Sequence, residues 1–304
     1  MIGIIGSTNV DIVINVEHFT LPGETQKSSA LYTNFGGKGA NQAMTVARLT
    51  GKDTYFCTAI GNDDYGKNLE NIFLQNNIKG YFKSDTETGR AYIEVNSSGE
   101  NRIIIHPGAN STVDKEKIDK FLELYSENID YCLIQNEIPH ESIIYAIEKL
   151  KNLGITIIYD PAPKESTDIS ILKYVDFLTP NETEFDYLFR KVSDKEISDL
   201  SEKGIIFRNI TGVKNLIIKN GSKGSIFIDE NNNVTETEAI KVKAVDSTAA
   251  GDIFNGSFTV WLSENNSVTE SISFAGISSG ISVTRKGAQN SIPEISEILE
   301  IYKK

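Results

Sequence analysis

Three short segments of this chain combine small residues with charged ones in ways that suit phosphate chemistry. The first, Asp246-Ser-Thr-Ala-Ala-Gly-Asp252, precedes a stretch whose apolar residues (Ile253, Phe254, Phe258, Trp261, Leu262) space as a helix. Small side chains at Ala249, Ala250 and Gly251 leave the backbone open to a ligand, and amides at a helix start attract an anion. A carboxylate at that point would repel phosphate, so Asp252 wants a reason. One is that Asp252 removes the proton of an attacking hydroxyl while the amides of Ala249–Asp252 form an anion hole. An acid that only stabilises the first helical turn fits equally well. The second segment, Asn34-Phe-Gly-Gly-Lys-Gly-Ala-Asn-Gln-Ala43, opens a helix running to about Leu49. It lacks the G-x-x-x-x-G-K-[ST] spacing of a Walker loop, but its amides, Lys38 and Asn41 suit a polyhydroxylated ligand; a plain glycine turn is the alternative. The third, Leu216-Ile-Ile-Lys-Asn-Gly-Ser-Lys-Gly224, reads as a buried strand ending in a turn, with a second strand, Ser225–Asp229, behind it. Ligands of open α/β sheets bind where such turns fall, though a simple hairpin would look the same.

Other chemistries fare worse. Gly276-Ile-Ser-Ser-Gly280 matches a hydrolase nucleophile elbow, but it lies in a helical stretch, and His18, His106 and His140 all precede Ser278. Histidines and cysteines are scattered singly, without the spacing of a soft-metal site. A hard cation held by carboxylates and phosphates is compatible with the sequence.

These segments need a scaffold, and 304 residues suffice for a large core without disulfides. Composition is that of a globular chain, 39% hydrophobic and 24% charged, so extended disorder is not expected. The formal charge is −12, with no dense basic cluster, which disfavours nucleic acid and anionic membranes as partners. Cys57 and Cys132 sit in apolar runs and read as buried thiols of a reducing compartment. The opening MIGIIGSTNVDIVI has no basic leader and reads as a first strand; no apolar run approaches the roughly 20 residues of a membrane helix. A cytoplasmic location is expected.

Strands at Tyr131–Gln135, Ile155–Tyr159 and Phe177–Thr179 alternate with helices at about Ser142–Leu153 and from about Glu182, the signature of βαβ units around a parallel sheet. Ser267–Glu270 and Ser193–Glu196 match the capping box, and Gly154 and Gly204 are placed as residues that end helices. Between Asp11 and Phe35, and between Gly89 and His106, strands follow one another without helices. Ala91–Val95 and Arg102–Ile105 flank Asn96-Ser-Ser-Gly99 as a hairpin would. Such a small sheet needs a ligand or a partner subunit to cover its apolar face.

Together and in this order, the segments resemble the ribokinase branch of the PfkB carbohydrate kinases over nearly the whole chain. Phe35–Ala43 matches the first signature of that branch, and Asp246–Asp252 the second, with Ala249 where many relatives carry glycine. The resemblance implies an α/β fold: a three-layer α/β/α sandwich with a mostly parallel central sheet. It also implies one domain over 1–304, with a β-sheet lid from within about 11–35 and 89–106. ATP-dependent phosphorylation of D-ribose at its 5-hydroxyl is the implied activity, with Asp252 as base. A sibling kinase of deoxyribose, another sugar, a nucleoside or a sugar phosphate is the alternative, as is a sugar-binding regulator without turnover.

Carried over residue by residue, Asn9, Asp11, Gly37, Lys38, Gly39, Ala40, Asn41, Glu137 and Asp252 would hold the sugar. ATP would meet Asn181, Lys219, Asn220, Gly221, Ser222, Lys223, Gly224, Gly251, Asp252 and Gly276. Asn181 and Glu184 match the N-x-x-E element that organises magnesium. Asp246, Thr248, Ser282, Arg285, Gly287 and Ser291 match an activating potassium site, mostly through backbone oxygens. A homodimer through the lid is the implied assembly. Arg90 stands where some relatives that act on sugar phosphates place a basic residue, though pairing with an acidic neighbour is the simpler reading.

Overall fold

The structure is a computed structural model, and it describes residues 1–303. Its strands in chain order are β1 (Ile2–Ile5), β2 (Asn9–Asn15), β3 (Ala30–Gly36), β4 (Thr54–Cys57), β5 (Ala59–Gly61), β6 (Ile78–Lys79), β7 (Phe82–Ser84), β8 (Gly89–Val95), β9 (Asn101–His106), β10 (Tyr131–Ile134), β11 (Thr156–Tyr159), β12 (Phe177–Leu178), β13 (Asn215–Lys219), β14 (Ser225–Ile228) and β15 (Val234–Thr237). The α-helices are α1 (Lys38–Thr50), α2 (Asp64–Gln75), α3 (Lys115–Tyr125), α4 (His140–Asn152), α5 (Glu182–Val192), α6 (Leu200–Thr211), α7 (Ala250–Ser263), α8 (Val268–Ser282) and α9 (Ile295–Tyr302).

Among these residues a nine-stranded sheet runs in the order β15-β14-β13-β12-β11-β10-β1-β4-β6. It is parallel from β6 to β13, and β14 and β15 add antiparallel strands at one edge. Parallel strands must be buried on both faces, which is why these segments are apolar at successive positions instead of alternating with polar residues. Ile5, Cys132, Ile134, Ile157, Leu216 and Ile218 point to one core, which α3, α4, α5 and α6 cover. Their neighbours Ile4, Leu133, Ile158 and Ile217 point to the other, which α1, α2, α7, α8 and α9 cover. The result is the expected three-layer sandwich.

Two local expectations are corrected. Ser193 ends α5 instead of starting a helix; α6 begins later, with Asp199 as the cap that accepts from the Glu202 amide. Gly204 lies inside α6, where a Cβ would come within 2.1 Å of Ile228 Cδ1, so it permits close packing of helix on sheet. Gly154 does follow α4 in the left-handed conformation (φ 73°), and Ser267–Glu270 does form a capping box at α8. Gly276–Gly280 lies within α8, and Ser278 is tied to Ser257 of α7 by a hydroxyl hydrogen bond of 2.7 Å.

A second sheet of four strands, β3-β2-β8-β9, leans over one end of the first. Strand β2 pairs antiparallel with β3 and parallel with β8, and β8–β9 is a hairpin closed at Asn96–Gly99. Its outer strand β9 is exposed at all six positions.

Candidate active site

Several of the polar segments leave a parallel strand at its carboxyl end. The chain passes from β1 to Ser7 and Thr8, from β10 to Gln135 and Glu137, from β11 to Asp160, from β12 to Asn181 and from β13 through Lys219. Side chains from strands far apart in sequence therefore meet beyond the carboxyl ends of the strands, where open α/β sheets bind ligands. The starts of α1 and α7 complete the rim. Gly37, with φ 88°, caps α1, and Ala249, with φ 60°, caps α7, so both helices start at the same space; the Lys38 and Ala40 amides of α1 are taken by Glu137 and Ser7 O, and it is the start of α7 that lines the cleft.

Asp252 is buried in the first turn of α7, with Asn41 Nδ2 donating to Oδ2 at 2.9 Å and Gln42 Nε2 to Oδ1 at 3.3 Å. Gln42 Nε2 also lies 3.3 Å from Asp160 Oδ2, and Gln135 Nε2 donates to Gln42 Oε1 at 2.6 Å. Lys219 Nζ reaches Asp160 Oδ1 at 3.4 Å. On the other side, Glu137 Oε2 accepts from Ser7 Oγ at 2.5 Å and from the Lys38 amide at 3.0 Å. Asn110 Nδ2 donates to Asn9 Oδ1 at 2.8 Å, which ties Asn9 to the loop after β9. Asp11, on β2, faces this space across Gly36; a Cβ at Gly36 would come within 2.2 Å of Asp11 Oδ2, so only glycine leaves the carboxylate room.

Crowding several carboxylates in partial burial raises their proton affinity. Burial pushes Asp252 up to about 6; Lys38 opposes the rise and Asp160 adds to it. Asp11 goes up to about 7 through burial, then through Glu137 and Asp252. Burial and Asp160 raise Glu184 as well. For Lys38 burial works against the charge, but Asp252, Asp160, Glu137 and Glu184 outweigh it and hold the ammonium above the ordinary lysine value.

A cleft of about 900 Å³ extends from this cluster. Lys38, Asp160, Asn181, Glu184, Lys219, Gly221, Ser222, Gly224, Ala249–Asp252 and Gly276 line it, with the segment Glu238–Ala244 as its outer wall. Lys223 belongs to the same turn, Gly221–Lys223, and Asn220 precedes it, but neither lines the cleft. Ala40 does not face it either: its methyl is in the core and its amide donates to Ser7 O at 2.9 Å, while Gly39 allows that close approach of α1 to the strand end.

Asn181 caps α5 in a reciprocal box with Glu184, each accepting from the other's amide at 2.8 Å. No group of three or more carboxylate, histidine or cysteine side chains among the described residues is arranged to hold a metal ion by itself. The one carboxylate and one amide oxygen of Glu184 and Asn181 would suit a magnesium ion that keeps several waters and is held chiefly by nucleotide phosphates. Asp246 accepts from Thr248 N at 2.9 Å, Thr248 Oγ1 at 2.6 Å and Gly287 N at 2.9 Å, which joins the two segments of the cation motif. The hydroxyls of Ser282 and Ser291 bond to Ser279 O and Ala288 O, and Arg285 turns to Glu297. Arg285 and Gly287 would then offer a monovalent cation only backbone oxygens, whereas Ser282 and Ser291 keep hydroxyl lone pairs as well.

Arg90 does not face the site. It shares a lid face with Val10, opposite to that of Asp11 and Ala91, and pairs with Asp63 at 3.3 Å and Glu87 at 3.1 Å beside the Tyr65 ring. Asp160, Gln42 and Gln135 are the members that residue patterns did not single out. Asp160 stands directly after an apolar strand, in Asp160-Pro-Ala-Pro163, and a carboxylate at a strand end before two prolines was the available signal.

The family described as pfkB family carbohydrate kinase matches residues 1–295. The chain belongs to the PfkB carbohydrate kinases. It is 37% identical to a ribokinase of Haemophilus influenzae, over 99% of this chain and 97% of that protein. A crystal structure of a Thermotoga maritima ribokinase superposes with a TM-score of 0.93 at 44% identity, covering 100% and 99% of the two chains. An Arabidopsis thaliana ribokinase complexed with ribose and ATP gives 0.86 at 30% identity, covering 100% and 98%. ATP-dependent phosphorylation of a small sugar or nucleoside is thus the activity of this PfkB kinase. No helix among the described residues is long and apolar enough to cross a membrane.

Proposed function

We propose that this PfkB kinase phosphorylates D-ribose at its 5-hydroxyl, with Asp252 as general base. The observation that carries the reading is the placement of Asp252: buried, oriented by the Asn41 and Gln42 amides, and set where the phosphate cleft meets the polar groups of the lid side. A primary hydroxyl seated there gives its proton to Asp252 as its oxygen bonds to the γ-phosphorus, and the bond to the β–γ bridging oxygen breaks to release ADP. The amides of Ala249–Asp252 hold the transferring group, and Lys219 adds positive charge beside them. Magnesium, when bound through Asn181 and Glu184, neutralises phosphate charge. A potassium ion near Asp246 would act at a distance, by setting the loop that precedes the anion hole.

Asn9, Asp11, Gly37, Lys38, Asn41 and Glu137 are proposed to hold the sugar. Asn41 Oδ1 is buried without a partner, which suits a hydroxyl donor. The pairing of Arg90 with Asp63 and Glu87 favours a free sugar over a sugar phosphate. A homodimer through the four-stranded sheet is proposed because Leu31, Ile103, Ile104 and Ile105 expose more apolar surface than an isolated sheet tolerates. ADP release measured over a panel of ribose, deoxyribose, other sugars, nucleosides and sugar phosphates tests the substrate. Turnover of any other panel member far above ribose would refute it, and none at all would favour a sugar-binding regulator.

A further inference from the structure

We infer that Asp160 is a positioning residue for phosphoryl transfer: from the end of β11 its buried carboxylate fixes both the Gln42 amide that faces Asp252 and the Lys219 ammonium that faces the start of α7. This deepens the kinase reading above and rests on it.

The Gln42 amide can point only one way. Its nitrogen lies 3.3 Å from Asp160 Oδ2 and 3.3 Å from Asp252 Oδ1, and its oxygen takes the Gln135 donor at 2.6 Å. Flipping it would set an oxygen against two carboxylates and a donor against a donor. Asp160 thus orients the second of the two amides that aim Asp252. On its other oxygen it holds Lys219 Nζ at 3.4 Å. That ammonium stands over the first turn of α7, since a Cβ at Gly251 would come within 3.4 Å of it.

Asp160 itself has no freedom. It is 2% exposed, its amide donates to Ile134 O at 2.9 Å, and its carbonyl accepts from the Ala162 amide at 2.8 Å. Burying a carboxylate is costly, and a nonpolar pair of similar volume often serves stability as well. This ion pair lines the phosphate cleft instead of lying inside a core, which points to a role in the site. One anion thereby connects the group that receives the proton with the cation that faces the transferring phosphate.

The test uses the full chain. In Asp160→Asn the shape is kept and the charge lost, so kcat is expected to fall by about 30- to 100-fold, as small misplacements of reacting groups do. Calorimetric ribose affinity should stay within about threefold. Asp252 is faced by Lys38, Asn41 and Gln42 of α1, Asp11 of β2, Glu137 after β10 and Asp160 after β11. Among these, Asp160 raises its proton affinity, so the acid limb of kcat/KM should move to lower pH in the variant, which a merely structural role would not do. Asp160→Asn combined with Lys219→Met should lose less than the product of the two single losses, because the Lys219 arm is common to both while the Gln42 arm belongs to Asp160 alone. Wild-type kcat, an unmoved acid limb, or losses that multiply in the double variant would each overturn the assignment. Should Asp160→Asn not fold, Gln42→Met reads the same link; it lowers kcat with the ATP KM unchanged if the inference holds, and an unchanged kcat overturns it. Failure of the base reading is separable, because turnover retained by Asp252→Asn would remove that reading whatever the Asp160 and Lys219 variants do.

Discussion

Asp252→Asn is the perturbation that bears most directly on mechanism. Asparagine keeps the shape and removes the proton acceptor, so the loss is that of general-base catalysis, typically 10²- to 10⁴-fold, or about 3–5 kcal/mol of transition-state stabilisation. With its carboxyl pushed up to about 6, Asp252 is almost wholly ionised at pH 8, so the full loss is visible there. In the wild type, kcat/KM should fall as pH drops through about 6, because the base takes up a proton before substrate arrives. The variant should still fold. An asparagine NH2 turned to either Asn41 or Gln42 leaves one donor facing another, at a cost of about 1–3 kcal/mol, but the burial of an anion is relieved at the same place. These terms oppose each other, so the melting temperature should change by no more than about 5 °C. The assay is coupled ADP release across pH 5–9 with calorimetric sugar binding alongside. Turnover within tenfold of wild type at pH 8, or a limb near pH 6 that persists in the variant beside the Asp11 limb near 7, would refute Asp252 as the base.

Asp11 should make sugar binding itself depend on pH. With its carboxyl up at about 7, ribose affinity should weaken by about tenfold from pH 8 to pH 6, and Asp11→Asn should abolish that dependence in calorimetric titrations. Ala249 holds a left-handed conformation (φ 60°) that costs a residue with a Cβ about 1 kcal/mol; Ala249→Gly should keep kcat within about twofold and not lower the melting temperature. Ile104, 71% exposed on the lid, is expected at the dimer interface, so Ile104→Lys should shift the chain to monomer in analytical ultracentrifugation; an unchanged sedimentation profile would count against the lid as interface.

Much of the frame was open to reading in the residues alone. Parallel strands buried on both faces must be apolar at every position, and their crossovers must be helical, so β10, α4, β11, β12 and α5 were placed within two residues of where they lie. The hairpin of β8 and β9 was visible from its Asn-Ser-Ser-Gly turn. Capping boxes were less certain signals, because Ser-x-x-Glu is a local pattern that also occurs outside helices, as Ser193–Glu196 does.

The sequence by itself determined which chemical groups are present and which are forced near one another by local geometry: small residues at a helix start beside Asp252, and glycines, Lys38 and Asn41 in one turn. Those constraints act over a few residues and leave a readable mark. Only the tertiary structure decided that Asp160, Gln42 and Gln135 join Asp252 in one network, and that Arg90 turns to Asp63 on the far face of the lid. Such contacts join positions up to about 210 residues apart and depend on strand order and register, which no local pattern encodes.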